Sequence, residues 1–488
     1  MLSAASLLSL LLAVPADDAG ILHALNRLTW GPRPGDVARV RAVGLDRWVE
    51  EQLHPDRIED LAVEARLASL GTAGLSTAEL RRSYEVPKDA KREMKQKQAA
   101  MGDSPSEEQL RAVKREMYLK LLPRMAGRPQ EVIDELQEAK LLRAVYSERQ
   151  LADVLTDFWM NHFNVYAAKG PDRYLLAEYE SQAIRPHALG RFEDLLLATA
   201  QSPAMLFYLD NWISAAPGTD LSVLRRGMKK RPDPELPRSL GLNENYAREI
   251  MELHTLGVDG GYTQKDVSEV ARSFTGWTVR GLRTDGATPE FVFVPFMHAR
   301  GDKQVLGRTV ASGGKDEGER VIRLLATHPS TARFISTKIA RRFVSDQPPP
   351  ALVDRMAATF RETRGEIREV MRTLLRSPEF VAADARGAKT KTPLEFAVSA
   401  LRATGADLLS AREVAERLDH MGMPLYMTQP PTGYKDTAEA WVSSAGLLAR
   451  LNFAADLAAG RLMGTLVDPA SLGPEAGLKL GSPEFQRR

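Results

Sequence analysis

Apolar residues recur at helical spacing along almost the whole chain, and prolines and cap residues cut that pattern into helix-length pieces. A chain built this way must bury its helix stripes on one another. The expected fold is therefore mainly α: one large multi-helix domain over residues 17–460. Helices are expected near 129–146, 192–200, 244–255, 317–326, 329–344, 350–363, 366–376, 393–404, 410–421 and 438–458. Pro129, Pro329, Pro350 and Pro393 stand where a first helical turn tolerates a missing N–H. Ser147 with Gln150 and Thr263 with Asp266 read as capping boxes.

The period changes once. Residues 277–280 and 290–296 alternate or are β-rich, and 305–310 has the composition of a further strand, so a small antiparallel β-ribbon is expected around 277–310. Three other segments differ from the helical background. Residues 81–126 are rich in Lys and Arg and poor in large apolar side chains at their start, which suits a charged helical arm with a solvated face. Residues 214–240 read as an exposed loop, and 461–488 as a loose tail.

Composition narrows the chemistry. Lys+Arg 66 against Asp+Glu 64 gives a net charge of +2, so nothing suggests general nucleic-acid binding. Cysteine is absent, which removes disulfides, thiol nucleophiles, CxxC zinc sites and thiolate-held clusters. Any metal must sit on His, Asp, Glu, Asn or backbone oxygen. No HExxH, GxSxG, P-loop or GxGxxG motif occurs. Leu7 to Val14 are nearly all apolar, and Val14-Pro15-Ala16 suits signal-peptidase cleavage, although the stretch lacks Lys and Arg. Residues 1–16 are expected to be a signal peptide, which would place the protein in the periplasm or outside the cell. No other segment is apolar and long enough to span a membrane.

The richest segment is 243–254, NENYAREIMELH. On a helix, Asn245, Glu249 and Glu252 share a face, and Arg248 can pair with Glu252 four residues on. Two acids three apart suit a metal or acid–base pair, and equally suit structural ion pairs. His254 falls on the apolar face of this helix. The second segment is Phe158–Phe163, where His162 continues an apolar stripe, with Asn161 beside it and Trp159 on the helix. A lone His on such a face is more often a satisfied core residue than a ligand. Asp210-Asn211 ends an apolar run, and His298 lies between the expected strands. His328 precedes Pro329 and suits a helix cap, while 429–434 forms a rigid turn able to wall a pocket.

Five stretches are familiar: FWMNHFNVYAAKG (158–170), IRPHALGRFEDLLLATAQSPAMLFYLDNW (184–212), LNENYAREIMELHTLGVDGGYTQKDVSEVARSFTGWT (242–278), HPSTARFISTKIARRFVSDQPPP (328–350) and PPTGYKDTAEAWVSSAGLLARLNFA (430–454). Together they resemble a bacterial family catalogued as domain of unknown function 1800, over nearly the whole chain. The resemblance brings no catalytic residues. It implies an exported protein, often encoded beside an exported family similar to alkaline phosphatases and sulfatases. Some members of that family carry an acid after the His of the ribbon segment. Here Ala299 stands there, which puts a pairing of His298 with a neighbouring acid in doubt.

Two readings of function follow. In the first, the chain is a metal-assisted or hydrolytic enzyme. Glu249 or Glu252 is then ligand or general base, His162 or His254 ligand or acid, and Arg248 an anchor for an anion. Asn161, Asp210, Asn211, Trp159, Trp277 and His298 complete that expected site, and a divalent metal is the candidate cofactor. In the second, the chain is a non-enzymatic partner of the co-encoded phosphatase-like protein, using its arm and its polar loop. A helical cofactor-binding protein is a third, weaker option.

Overall fold

The computed structural model describes residues 17–102, 105–219, 241–282, 284 and 286–488. The expected signal peptide and most of the polar loop lie outside these residues. Among the described residues the chain is mainly helical, with three two-stranded antiparallel sheets. None of their helices is long and apolar enough to cross a membrane.

Helix Gln150–His162 runs through the middle of the core. Leu151, Val154, Leu155, Phe158, Trp159 and His162 are buried at helical spacing. The helix packs on Asp18–Leu28, Leu45–Leu53 and Pro129–Tyr146. Each large apolar side chain buried here contributes roughly 1.5–3 kcal/mol. Ser147 does not box this helix. Its hydroxyl donates to Asp60 and accepts from the Arg149 N–H, while Gln150 turns back to the Ser147 and Ala144 carbonyls. The Thr263–Asp266 capping box is present.

Helix Pro329–Phe343 starts as its sequence demands. Pro329 fills the first turn, and His328 Nδ1 accepts the Ser330 N–H at 3.2 Å. Its apolar stripe, Ala332, Ile335, Ile339, Ala340 and Phe343, packs on Pro350–Glu362. Lys338 and Arg341 occupy the flank of that stripe.

The expected ribbon is present as two ribbons. Trp277–Arg280 pairs with Glu290–Phe293, Trp277 opposite Phe293, and Lys303–Val305 pairs with Arg308–Val310. Pro295, which lacks an N–H, opens a 3-10 turn that ends the first ribbon.

The arm residues form a hairpin of helices Lys88–Ala99 and Glu107–Leu121 around Ala90, Val113, Met117 and Leu121. Lys97 with Glu116, Lys120 with Glu93 and Arg124 with Asp89 tie the hairpin across its own face. At its base, Arg81 donates to the Gly281, Leu282 and Ala287 carbonyls.

The expectation of a loose tail over 461–488 is wrong. Thr465–Leu466 pairs with Asp407–Leu408, and helix Ala476–Gly481 packs on Ser444–Ala458. Arg488 is buried against Glu395 and the Arg342 carbonyl. The Gly, Pro and Ser content of the segment reflects its tight turns.

Candidate functional site

A cavity of about 430 Å³ opens between helix Gln150–His162, helix Pro329–Phe343 and the 423–439 segment. That size suits a small-molecule ligand. Phe158, Met160 and Asn161 line it from the first helix, Lys338, Arg341 and Arg342 from the second. Thr432 and Tyr434 come from the rigid 429–434 turn that the sequence offers as a pocket wall, and Lys435 and Asp436 follow it directly.

Asn161 fixes that wall. Its Nδ2 donates to the Tyr434 carbonyl at 2.8 Å, and its Oδ1 accepts the Tyr434 N–H at 2.7 Å. Between them Gly433 has φ +66, and a Cβ there would meet the Asn161 backbone oxygen at 2.3 Å. Only glycine fits this close approach without strain.

Several cavity charges already have partners. Lys140 pairs with Asp157 at 2.5 Å, and Arg342 pairs with Glu395. Arg341 Nε donates to the Asp346 carbonyl, and Asp436 lies 3.7 Å from Lys389. Lys338 and the outer nitrogens of Arg341, with Lys435, remain as donors against Glu439. The lining that is free to meet a ligand is therefore net cationic.

Lys338 has an unusual partner. Among the described residues it forms no ion pair with an acid. Its Nζ donates to His162 Nδ1 at 2.8 Å. His162 Nε2 in turn reaches the His254 carbonyl at 3.1 Å, which fixes the tautomer with the proton on Nε2. That carbonyl belongs to the last turn of its helix, where carbonyls lack intrahelical donors. Burial holds His162 well below the usual histidine value, and the Lys338 charge adds to the effect. Burial and then Lys338 bring His254 down to about 3. Lys338 itself falls to about 8 through burial, with Asp436 opposing and Arg341 reinforcing the shift.

The sequence did not single out Lys338, because a lysine flanking an apolar stripe is the ordinary solvated case. The available signal was its position three residues before Arg341, which sets two cations on one helix face.

The other expected site residues separate into different places. The two imidazoles meet, with ring centroids 6.0 Å apart. The glutamates do not join them. Among the described residues no hydrogen bond or ion pair links Glu249 or Glu252 to either histidine, and neither lines the cavity. Glu252 accepts from Tyr262 at 2.9 Å. Glu249 is half-buried, and its carboxyl is raised by burial and then by Glu252, with Arg248 opposing.

The expected Arg248–Glu252 pair is absent, because each side chain takes another partner. The helix is still regular there, because the Glu252 N–H donates to the Arg248 carbonyl, and it widens to a π-turn only over Glu252–Leu256. Arg248 instead reaches Gln264 at 2.8 Å and Glu244 at 3.8 Å. Among the described residues no three His, Asp or Glu side chains form a group fit to hold a metal ion.

Trp159 and Trp277 are core residues rather than cavity walls. Trp159 donates to the Ala188 carbonyl, and Trp277 packs against Gly318. Asp210 adopts a left-handed turn and pairs with Lys169 at 2.9 Å. Asn211 is buried and donates to the Phe274 and Trp277 carbonyls, stitching its corner to the ribbon. His298 does find an acid, though not a sequence neighbour. Its Nε2 lies 3.1 Å from Glu317, which also pairs with buried Lys303, and its Nδ1 lies 2.8 Å from the Thr275 carbonyl. The acid that the sequence put in doubt comes from helix Lys315–Ala326.

A family model described as "Protein of unknown function (DUF1800)" matches residues 23–486. The chain belongs to that family. No curated protein and no solved structure matches it. The DUF1800 match spans the cavity, both imidazoles and the docked C-terminal segment.

Proposed function

We propose that this DUF1800 protein is an enzyme that binds a small anionic substrate in the cavity and uses the Lys338 amine as its acid–base group. The observation that carries this reading is the Lys338–His162 hydrogen bond at a cavity wall. A structural lysine is normally matched with a carboxylate. This one faces a neutral imidazole, so its charge is not held in place. A neutral amine keeps one lone pair, which accepts a proton from substrate or from attacking water and later returns it. Arg341 and Lys435 supply the charge that positions an anion.

Calorimetric titration with a panel of dicarboxylates and phosphate monoesters tests the reading. Binding of at least one class, weakened about ten-fold (roughly 1.4 kcal/mol) in Lys338→Met and in Arg341→Met, is the expected result. A panel that binds nowhere, or binds equally to both variants, removes it.

A second reading rests on the arm. Its hairpin has its own small core apart from the main one, and it exposes Tyr118 and Leu119. This supports docking to the co-encoded phosphatase-like protein. Co-purification lost on deleting 88–121 is expected on that reading, and no complex on co-expression contradicts it. Export is part of both readings and rests on the apolar run before Ala16. An N-terminus at Asp17 in secreted material is the expected outcome.

A further inference from the structure

The Lys338 amine is short of acceptors. Among the described residues its one hydrogen bond goes to His162 Nδ1, at 2.8 Å. An ammonium carries three N–H groups, so two of them have no acceptor among the described residues. Lys303 and Lys389 are served differently. Lys303 donates to the Ala299 carbonyl and to Glu317, and its Nζ lies 3.5 Å from His298. Lys389 donates to Asp346 and to the Asp436 carbonyl. Lys391 also has a single acceptor, Ser399 Oγ at 2.9 Å, but it does not line the cavity.

Lys338 does line the cavity, and it is half-buried rather than sealed. The Phe334 ring lies 5.6 Å from its Nζ, and Phe158 and Met160 line the same space. Apolar surroundings of this kind favour a neutral, nucleophilic amine. Burial brings Lys338 to about 8, with Asp436 opposing and Arg341 reinforcing, so a neutral fraction exists near neutral pH. Arg341 follows on the same helix face, and residues so spaced have Cβ atoms about 5–6 Å apart. Its Nε is taken by the Asp346 carbonyl at 3.1 Å, and its outer nitrogens form a fork for a carboxylate.

A carbonyl compound would satisfy this amine as a simple anion cannot. The neutral amine's lone pair attacks the carbonyl carbon. Counted from the ammonium, a C–N bond forms, the C–O bond breaks, and two of the three nitrogen protons leave on the oxygen as water. The positive charge stays on the iminium. Its one remaining N–H needs one acceptor, and His162 Nδ1 is in place to be that acceptor.

We infer that Lys338 is a Schiff-base lysine and that the cavity takes a short oxo acid, its carbonyl carbon bonded to the Lys338 nitrogen and its carboxylate on Arg341. This rests on the reading that the cavity binds a small anionic substrate, and adds to it the carbonyl and the covalent step.

The test is reductive trapping on the full-length, unaltered chain. The protein is incubated with pyruvate, acetoacetate or levulinate, reduced with sodium cyanoborohydride, digested and read by mass spectrometry. For at least one oxo acid, the adduct on the Lys338 peptide should exceed that on every other lysine peptide, Lys435 included, by an order of magnitude. Excess propionate or butyrate should suppress it, because each carries the carboxylate without the carbonyl. Arg341→Met should lower the yield although Lys338 is still present. Adducts spread over the exposed lysines, or no adduct, overturn the inference. Calorimetry with dicarboxylates and phosphate monoesters tells the two failures apart. If they bind in a Lys338-dependent way while nothing is trapped, the Schiff base falls and the acid–base reading stands. If they do not bind either, both fall.

Discussion

Lys338 Nζ and His162 Nδ1 stand 2.8 Å apart, and this contact sets the character of both groups. The imidazole must keep a lone pair on Nδ1 to receive the lysine, and its Nε2 proton is committed to the His254 carbonyl. Protonating His162 would place two cations in contact inside the core, which costs far more than either charge alone. The histidine therefore stays neutral, and the lysine is the partner that titrates.

Removing the acceptor should cost stability. His162→Leu leaves the Lys338 amine and the His254 carbonyl without their partner. We expect a loss of about 2–4 kcal/mol in urea denaturation, and a smaller loss for His162→Gln, whose amide can both accept and donate. Equal losses in the two variants contradict the hydrogen-bonded arrangement.

Acid should unfold the protein from a higher pH than its carboxylates alone require. Burial, the leading cause in all three, holds His23 at about 4, His254 at about 3 and His162 well below the usual value. The unfolded chain binds these protons near pH 6.5 and the folded chain resists them. Stability therefore falls as pH drops from about 6.5 towards about 4, by up to about 1.4 kcal/mol per pH unit for each histidine. Glu180 and Glu395 add a later loss. Burial raises each, but Arg185 on Glu180 and Arg342 with Arg488 on Glu395 outweigh it and bring both to about 2, so their contribution disappears between about 4.5 and 2. Denaturation midpoints against pH should show the first slope, and His23→Gln should flatten it by about one proton. A flat profile between pH 6.5 and 4.5 contradicts the neutral burial of these rings.

The cavity wall should depend on a single hydrogen atom. Gly433→Ala puts a Cβ 2.5 Å from Asn161 Oδ1 at φ +66. We expect a loss of about 1–3 kcal/mol from strain and overpacking. Weaker binding of any cavity ligand should accompany it, because Thr432 and Tyr434 shift with the turn. Unchanged melting and binding would show that the wall does not need this approach.

Glu395 should be among the least replaceable acids. Glu395→Gln leaves Arg342 and Arg488 buried without their counter-charge. A loss of about 3–5 kcal/mol is expected in chemical denaturation. A loss below about 1 kcal/mol contradicts the ion pairs described here.

Much of the helical framework was legible because local signals agree with the packing. The prolines at 329, 350 and 393 open their helices as expected. The period change at 277 marks strands, although a single ribbon was expected and Pro295 divides it. The tail misled, because a segment rich in Gly and Pro reads as loose until Arg488 is seen bound to Glu395, a residue distant in sequence.

The site was legible in part. Asn161 does meet the 429–434 turn and His162 does meet His254, since an apolar stripe interrupted by polar residues is visible in one dimension. The glutamates went elsewhere, because helical spacing sets which residues share a face but not what that face meets, and Tyr262 takes Glu252. Lys338 and Glu317 were not legible: each matters through a partner that only the tertiary fold supplies.

The most direct measurement is competitive acetylation of the native protein by acetic anhydride across pH, read on the peptide that carries Lys338. Half-maximal reactivity is expected near pH 8, because burial lowers the amine, Asp436 opposes and Arg341 reinforces. A midpoint near the usual lysine value of about 10.4 contradicts it, and the acid–base role of Lys338 falls with it.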